Sequence, residues 1–131
     1  MSHAVRHSFS DFKDPIVLAR AFERLGWKVE RDAKIRAWYQ SKKFPYVAVN
    51  PNKNGYDWGF AINNGKIELE GDTSMMDEQV WKVLGRDFSH LKQAYSLEAL
   101  SDWSKVNNGT MIETKAANGI VEVEIEMETF A

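Results

Sequence analysis

The segment "IVEVEIEME", residues 120–128, alternates without exception from Val121 onward. Val121, Val123, Ile125 and Met127 stand against Glu122, Glu124, Glu126 and Glu128. Successive side chains of a β-strand point to opposite faces, so this segment buries one face and wets the other. Weaker forms of the pattern recur. "WKVER" sets Trp27 and Val29 against Lys28 and Glu30. "KIRAWYQ" sets Ile35, Ala37 and Tyr39 against Lys34, Arg36, Trp38 and Gln40, and "KIELEG" turns Ile67 and Leu69 inward. Strands of a parallel sheet, covered on both sides, would read as continuous apolar runs. One-sided strands specify an antiparallel sheet with helices on one face and water on the other.

Turn chemistry joins these strands. Lys53-Asn54-Gly55 follows the short strand "YVAVN", and Asn63-Asn64-Gly65 separates "YDWGFAI" from "KIELEG". Asn-Gly supplies the left-handed backbone that tight hairpins need. Three turn-linked strands in a row predict a meander. Near the C-terminus "TMIETKA" and "IVEVEIEME" flank the turn Ala117-Asn118-Gly119.

Two helical regions complete the reading. Asp14 is a good N-cap, Pro15 suits the first helical position, and Gly26 suits the stop. Between them Ile16, Val17, Ala19, Ala21, Phe22 and Leu25 form an apolar stripe. A longer region spans residues 77–106, with Val80, Trp81, Leu84, Phe88, Leu91 and Tyr95 recurring at three or four. Leu97, Leu100 and Trp103 continue in a slipped phase, which predicts a bend near Tyr95-Ser96 or two helices. Asn107-Asn108-Gly109 ends it. The expected fold class is α+β: a single mainly antiparallel sheet of about five to seven strands, two helices on one face, the other face largely solvent-exposed. Residues 1–131 are expected to form a single domain.

Composition narrows the function classes. With 44% apolar and 27% charged residues the chain can build a core, which argues against disorder. No run is long and apolar enough for a membrane helix, and "MSHAVRHSFSDF" lacks the apolar segment of a signal peptide. Cysteine is absent, which excludes disulfides, thiolate metal sites and cysteine nucleophiles. A cytoplasmic protein without a cofactor is the expectation. Net charge is −2, but residues 1–65 carry +5 and residues 66–131 carry −7. Segments of opposite sign commonly neutralise each other within one fold, and they can also mark a basic binding face or an acidic partner surface.

Several segments together resemble a known family. Met1-Ser2-His3 opens the chain. Leu25-Gly26-Trp27 leads into Val29-Glu30. Gly55-Tyr56-Asp57-Trp58-Gly59-Phe60 stands mid-chain, Glu68-Leu69 lies on the next strand, and Leu91, Gln93, Ala94 and Tyr95 fall late in the second helical region. This arrangement is similar to the hypothetical chloroplast open reading frame family numbered thirty-five, a domain of unknown function in cyanobacteria, algal plastids and cyanophages. The resemblance covers most of the chain. It departs where the family has Gln-Arg-Tyr-Ala and this chain has Gln93-Ala94-Tyr95-Ser96, and again at the C-terminus, where a basic-aromatic pair is replaced by Glu128-Thr129-Phe130-Ala131. It implies a divergent or phage-borne member, in the cytoplasm, the plastid stroma or the cytoplasm of an infected host. No catalytic residue comes with it.

The residues that could carry chemistry are few. His3 and His7 have the spacing of helical metal ligands but lack a third, so no metal site is expected. His90 lies beside the apolar stripe of the second helical region and reads as a structural histidine. Glu122, Glu124, Glu126 and Glu128 stand about 7 Å apart along one strand face, too far for several to share one ion, so they read as a solvated row. From Arg20 to Lys43 there are eight basic residues interleaved with Trp27, Trp38 and Tyr39. Basic and aromatic side chains on a sheet face suit single-stranded nucleic acid. By alternation Lys28, Lys34, Arg36 and Trp38 share the polar side. In "GYDWGF" the aromatics Tyr56, Trp58 and Phe60 turn to the core, which leaves Asp57 and Gly59 on the other face. A glycine inside a strand marks a bulge or the close approach of another group.

Three functions are therefore carried forward. The first is a small interaction or adaptor module without a reaction of its own, contacting a protein partner or a second copy of itself. The second is a single-stranded nucleic-acid binder that uses Lys28, Lys34, Arg36 and Trp38. The third is a small-ligand protein or enzyme with Asp57 at its site, which requires Asp57 to line a pocket with a raised pKa.

Overall fold

Asp14 caps the first helix as its sequence demands: its Oδ1 accepts from the Ile16 amide at 2.9 Å, and Pro15 opens α1 (Pro15–Arg24). Gly26, at φ +91°, takes the left-handed conformation that ends it. The computed structural model describes residues 4–9, 12–36, 42–72 and 78–128. The chain divides into two compact units, Met1–Tyr95 and Ser96–Ala131.

The first unit is built on five strands: β1 (Ala4–Phe9), β2 (Lys28–Lys34), β3 (Lys43–Val49), β4 (Trp58–Asn63) and β5 (Lys66–Asp72). Every pairing is antiparallel, in the order β1-β5-β4-β3-β2. The expected meander is present and runs through four consecutive strands. Asn64 and Gly65 have φ of 53° and 76° between the paired residues Asn63 and Lys66, so Asn-Gly makes the two-residue turn its chemistry favours. Strand β1 was not expected, because "AVRHSF" shows no alternation. "WKVER" and the start of "KIRAWYQ" form one strand rather than two. Ile35 and Arg36 leave the ladder, and residues 37–41, Trp38 among them, lie outside the described residues.

α1 buries Val17, Leu18, Ala21 and Phe22. Phe22 stacks on Phe60 at 5.7 Å and Phe60 on Tyr46 at 5.1 Å. The core continues through Ala48, Trp58, Ile67 and Leu69 of the sheet to Leu84, Phe88, Leu91 and Ala94. These last belong to α2 (Glu78–Leu84), a single 3-10 turn (Arg86–Phe88) and α3 (Ser89–Val106). The long helical region is thus broken ten residues before the predicted bend. Gly85, Asp87 and Phe88 all have positive φ there, and the turn they make swings Phe88 edge-on to Trp58 at 5.3 Å. α3 runs unbroken through Tyr95-Ser96. The slipped phase marks the point where the helix passes from one compact unit into the other.

The second unit holds the rest of α3 and a separate hairpin, β6 (Gly109–Lys115) with β7 (Val121–Met127). The expected single sheet is therefore two sheets, of five and two strands. Alternation fixes which face of a strand is buried but not which sheet the strand joins. The expected open face of the larger sheet also carries a small apolar cluster, Ile35, Phe44 and Val47, with Ala33 and Val49 beside it.

Candidate functional site

The loop from β3 to β4, residues 50–57, is rich in Asn with one Pro and one Gly, and such a loop folds only if its carbonyls find donors. Arg36 supplies them. Its Nη2 donates to the Asn50 carbonyl at 2.6 Å, and its Nη1 donates to Lys53 at 3.0 Å and Asn52 at 3.4 Å. The same guanidinium holds Asp57: Nη2 reaches Oδ1 at 2.8 Å, and Nε lies 3.1 Å from both carboxylate oxygens. Backbone amides complete the carboxylate shell, Asn50 donating to Oδ1 at 2.9 Å and Arg36 to Oδ2 at 2.8 Å. The Asp57 amide returns a bond to the Arg36 carbonyl at 3.0 Å. Asn50, also buried, holds the loop from inside, accepting from the Asn52 amide and donating to the Tyr56 carbonyl.

The knot is closed. Asp57 is 3% exposed and every position around its carboxylate is occupied by a donor of this chain. The hydrogen bond to Asp57 raises the Arg36 pKa above its already high ordinary value, against the opposing effect of partial burial. A carboxylate ringed by a guanidinium and two amides is an anchor, its acceptor positions taken by donors of this chain. Neither residue was placed with the other by sequence reasoning, since alternation put both simply on a polar face. The signal available was the loop itself, whose carbonyls require hydrogen-bond donors.

Gly59 has the neighbour that a glycine inside a strand foretells. The Phe44 ring lies directly over it, in the space a Cβ would take. Phe44 reaches that face because both strands break together: Arg31 pairs with Tyr46 and Ala33 with Phe44, so Asp32 stands opposite Pro45. Asp32 is left-handed at φ 49°, and proline has no amide to donate. Beyond the break Phe44 joins Val47, three residues on, rather than Tyr46. A shallow depression of about 330 Å³ lies next to it, floored by Ala61 and walled by Lys42, Pro45, Glu68 and Glu70. Its walls carry charges of both signs, with Lys42 Nζ 3.9 Å from Glu70.

The basic candidates separate. Arg36 is committed to Asp57 and three carbonyls. Lys28 is exposed and lies 3.7 Å from Glu30. Lys34 is exposed and stands directly opposite Lys43, also exposed. Like charges in register repel, so this pair is a local excess of positive charge. Other candidates are structural: the His90 Nδ1 donates to the last carbonyls of α2, at 3.1 Å to Lys82 and 3.2 Å to Val83. His7 sits on a strand, not a helix, and His3 lies outside the described residues. Among the described residues no group of three His, Asp or Glu is placed to hold a metal ion. No helix among the described residues is long and apolar enough to cross a membrane.

The second unit has a different surface. The Glu row of β7 faces the same way as Thr110, Ile112 and Thr114, and all of them are exposed. Five large apolar side chains, Trp103, Val106, Ile112, Ile120 and Met127, are between 40% and 82% exposed. Alternation set Met127 on the apolar face of a strand expected to join the main sheet, and Trp103 continued the apolar stripe of the second helical region. No family model, curated protein or solved structure matches this chain.

Proposed function

We propose that the protein is a small interaction module that acts by contact through the hairpin unit of residues 96–131. The observation that carries this reading is the concentration of exposed Trp103, Val106, Ile112, Ile120 and Met127 in that one unit. Large apolar side chains left exposed together in one unit favour contact with a partner. The resemblance to the chloroplast reading-frame family numbered thirty-five suggests the setting, a cyanobacterial or plastid cell or its phage. The test is affinity capture from a cyanobacterial lysate with the intact chain and with Trp103→Ala and Met127→Lys variants. A specific partner retained by the intact chain and lost by the variants supports the module. A profile identical for all of them ends it.

A second reading, single-stranded nucleic-acid binding, is favoured by the opposed Lys34 and Lys43, with Lys28 on the same strand as Lys34. Arg36 takes no part in it, its donors being occupied. This reading expects a labelled oligonucleotide to bind with steep salt dependence, and Lys34→Glu to abolish binding. An oligonucleotide that stays free at low salt rules it out.

A further inference from the structure

The apolar residues Trp81, Leu84, Phe88, Leu91 and Tyr95 follow one another at intervals of three, four, three and four. That is the spacing of one continuous helix, and it asks for no interruption at residues 85–88. The chain interrupts it all the same. Gly85, Asp87 and Phe88 have φ of 82°, 53° and 60°, and α2 ends at Leu84. Glycine takes that conformation freely, whereas aspartate and above all a bulky phenylalanine resist it. Such strain persists only where the surroundings impose it, and it gathers at segments that switch. The local sequence encodes one conformation and the folded chain holds another.

Phe88 and His90 impose the break. The Phe88 ring, 2% exposed, stands edge-on to Trp58 at 5.3 Å and to Trp81 at 5.8 Å. The His90 Nδ1 lies 3.1 Å from the Lys82 carbonyl and 3.2 Å from that of Val83. An unbroken helix would give those same two carbonyls to the amides of Arg86 and Asp87, four residues on. His90 thus stands in for the helix's own donors. It reaches them only in the broken chain. Its bond to Lys82 holds the two Cα atoms within about 9 Å, whereas eight residues of continuous helix would set them about 12 Å apart. Joining the helix pulls His90 away, and a seated His90 occupies the carbonyls that joining needs. The two arrangements exclude each other, as the states of a switch must.

The joined helix would not rest on the sheet along its whole length. From Glu78 to Tyr95 it would run about 27 Å. The five-stranded sheet is about 19 Å across, and its seven-residue strands are about 23 Å long. α3 and the turn before it hold Phe88, Leu91 and Ala94 in the core, while α2 holds Leu84 there, with Val80 and Trp81 half-buried. α2 has the weaker hold and is the part that lifts.

We propose that α2 is a hinged lid on the sheet. The chain exchanges between the broken form, latched by His90, and a form in which α2 and α3 join as one helix and α2 swings away from Trp58. Opening bares Trp58 and presents Val80, Trp81 and Leu84 along one side of a projecting helix. The lid belongs to the first compact unit and does not depend on the contact reading of the hairpin unit.

The test is the distance between two spin labels on the full chain, attached at Lys82→Cys and Gln93→Cys. Both positions are exposed, and the chain has no other thiol. Eleven residues of continuous helix set these Cα atoms about 16 Å apart. Two distances are expected, a major one from the broken form and a minor one near that value. Gly85→Ala strains the broken form, where its methyl group meets the Ser89 Oγ and the His90 backbone, and it suits the joined helix. It should raise the ratio of minor to major at least about fivefold, the helix preference of alanine over glycine. His90→Ala removes the latch and should raise the ratio as well. Asp87→Gly, at an exposed position, relaxes the turn and weakens the joined helix, so it should lower the ratio. A single distance in the parent and in both opening variants overturns the lid. So does a Gly85→Ala chain that melts earlier with unchanged distances, the result of overpacking alone. Should Gly85→Ala fail to fold, His90→Ala carries the test, and an unchanged ratio there overturns the lid. A ratio that rises in Asp87→Gly also overturns it, because the second state would then be a loosened turn and not a joined helix.

Discussion

Asp57 and Arg36 form a pair whose removal is costly because each is committed to more than the other. Asp57→Ala would leave two amides and a half-buried guanidinium without their acceptor. Truncating one partner of a buried pair costs about 3–5 kcal/mol, and the 40% exposure of the Arg36 side chain puts this one at the lower end, about 3 kcal/mol. Urea denaturation should show it as a lower midpoint with an unchanged slope. A loss under about 0.5 kcal/mol, the scale of an ordinary surface change, would mean that the knot is dispensable. Arg36 has a raised folded-state pKa, so the stability it contributes is fully present below its unfolded pKa. It is lost only as pH rises through the still higher folded value, so the Arg36 contribution should not vary between neutral and mildly alkaline pH. Gly59 offers a second case at this scale. A methyl group there meets the Phe44 ring, so Gly59→Ala should cost about 1–3 kcal/mol by overpacking. The double variant Gly59→Ala, Phe44→Leu should recover part of the loss. A strictly additive double variant would show that the ring is not the obstacle.

At the scale of elements, one hydroxyl joins two helices that are far apart in sequence. Tyr95 Oη on α3 accepts from the amides of Lys13 and Asp14, both at 3.0 Å, at the start of α1. The Phe12 ring packs against the same tyrosine at 4.8 Å. Tyr95→Phe keeps the ring and removes the acceptor, so a loss of about 1–2 kcal/mol in thermal unfolding is expected. An unchanged melting temperature would show that water replaces the hydroxyl there. This contact also shows where sequence stops being informative. The cap, the stop and the stripe of α1 were all legible, because Asp14, Pro15 and Gly26 act through their own backbone neighbours. The Asn64-Gly65 turn was legible for the same reason. The pairing of Arg36 with Asp57 was not, since residues 21 apart meet only after two strands and a loop are in place. Nor was the break at Gly85-Phe88, where Gly85 and the left-handed Asp87 and Phe88 interrupt an unbroken stripe of apolar residues. The stripe reports the buried face, and it is the same on either side of the turn.

For the molecule as a whole, the two units differ in how they are held. Strands β4 and β5 sit inside a five-stranded sheet under buried Trp58, Phe60, Ile67 and Leu69. The β6–β7 hairpin has two strands and no fully buried side chain. Native-state hydrogen exchange should therefore show two tiers, with β4 and β5 amides opening only near global unfolding and the hairpin opening at lower free energy. Within the hairpin, the amides of Thr110, Ile112 and Thr114 point to β7 and should be the slowest to exchange there. Exchange from them as slow as from β4 and β5 would show that the hairpin is held by more than its own two strands.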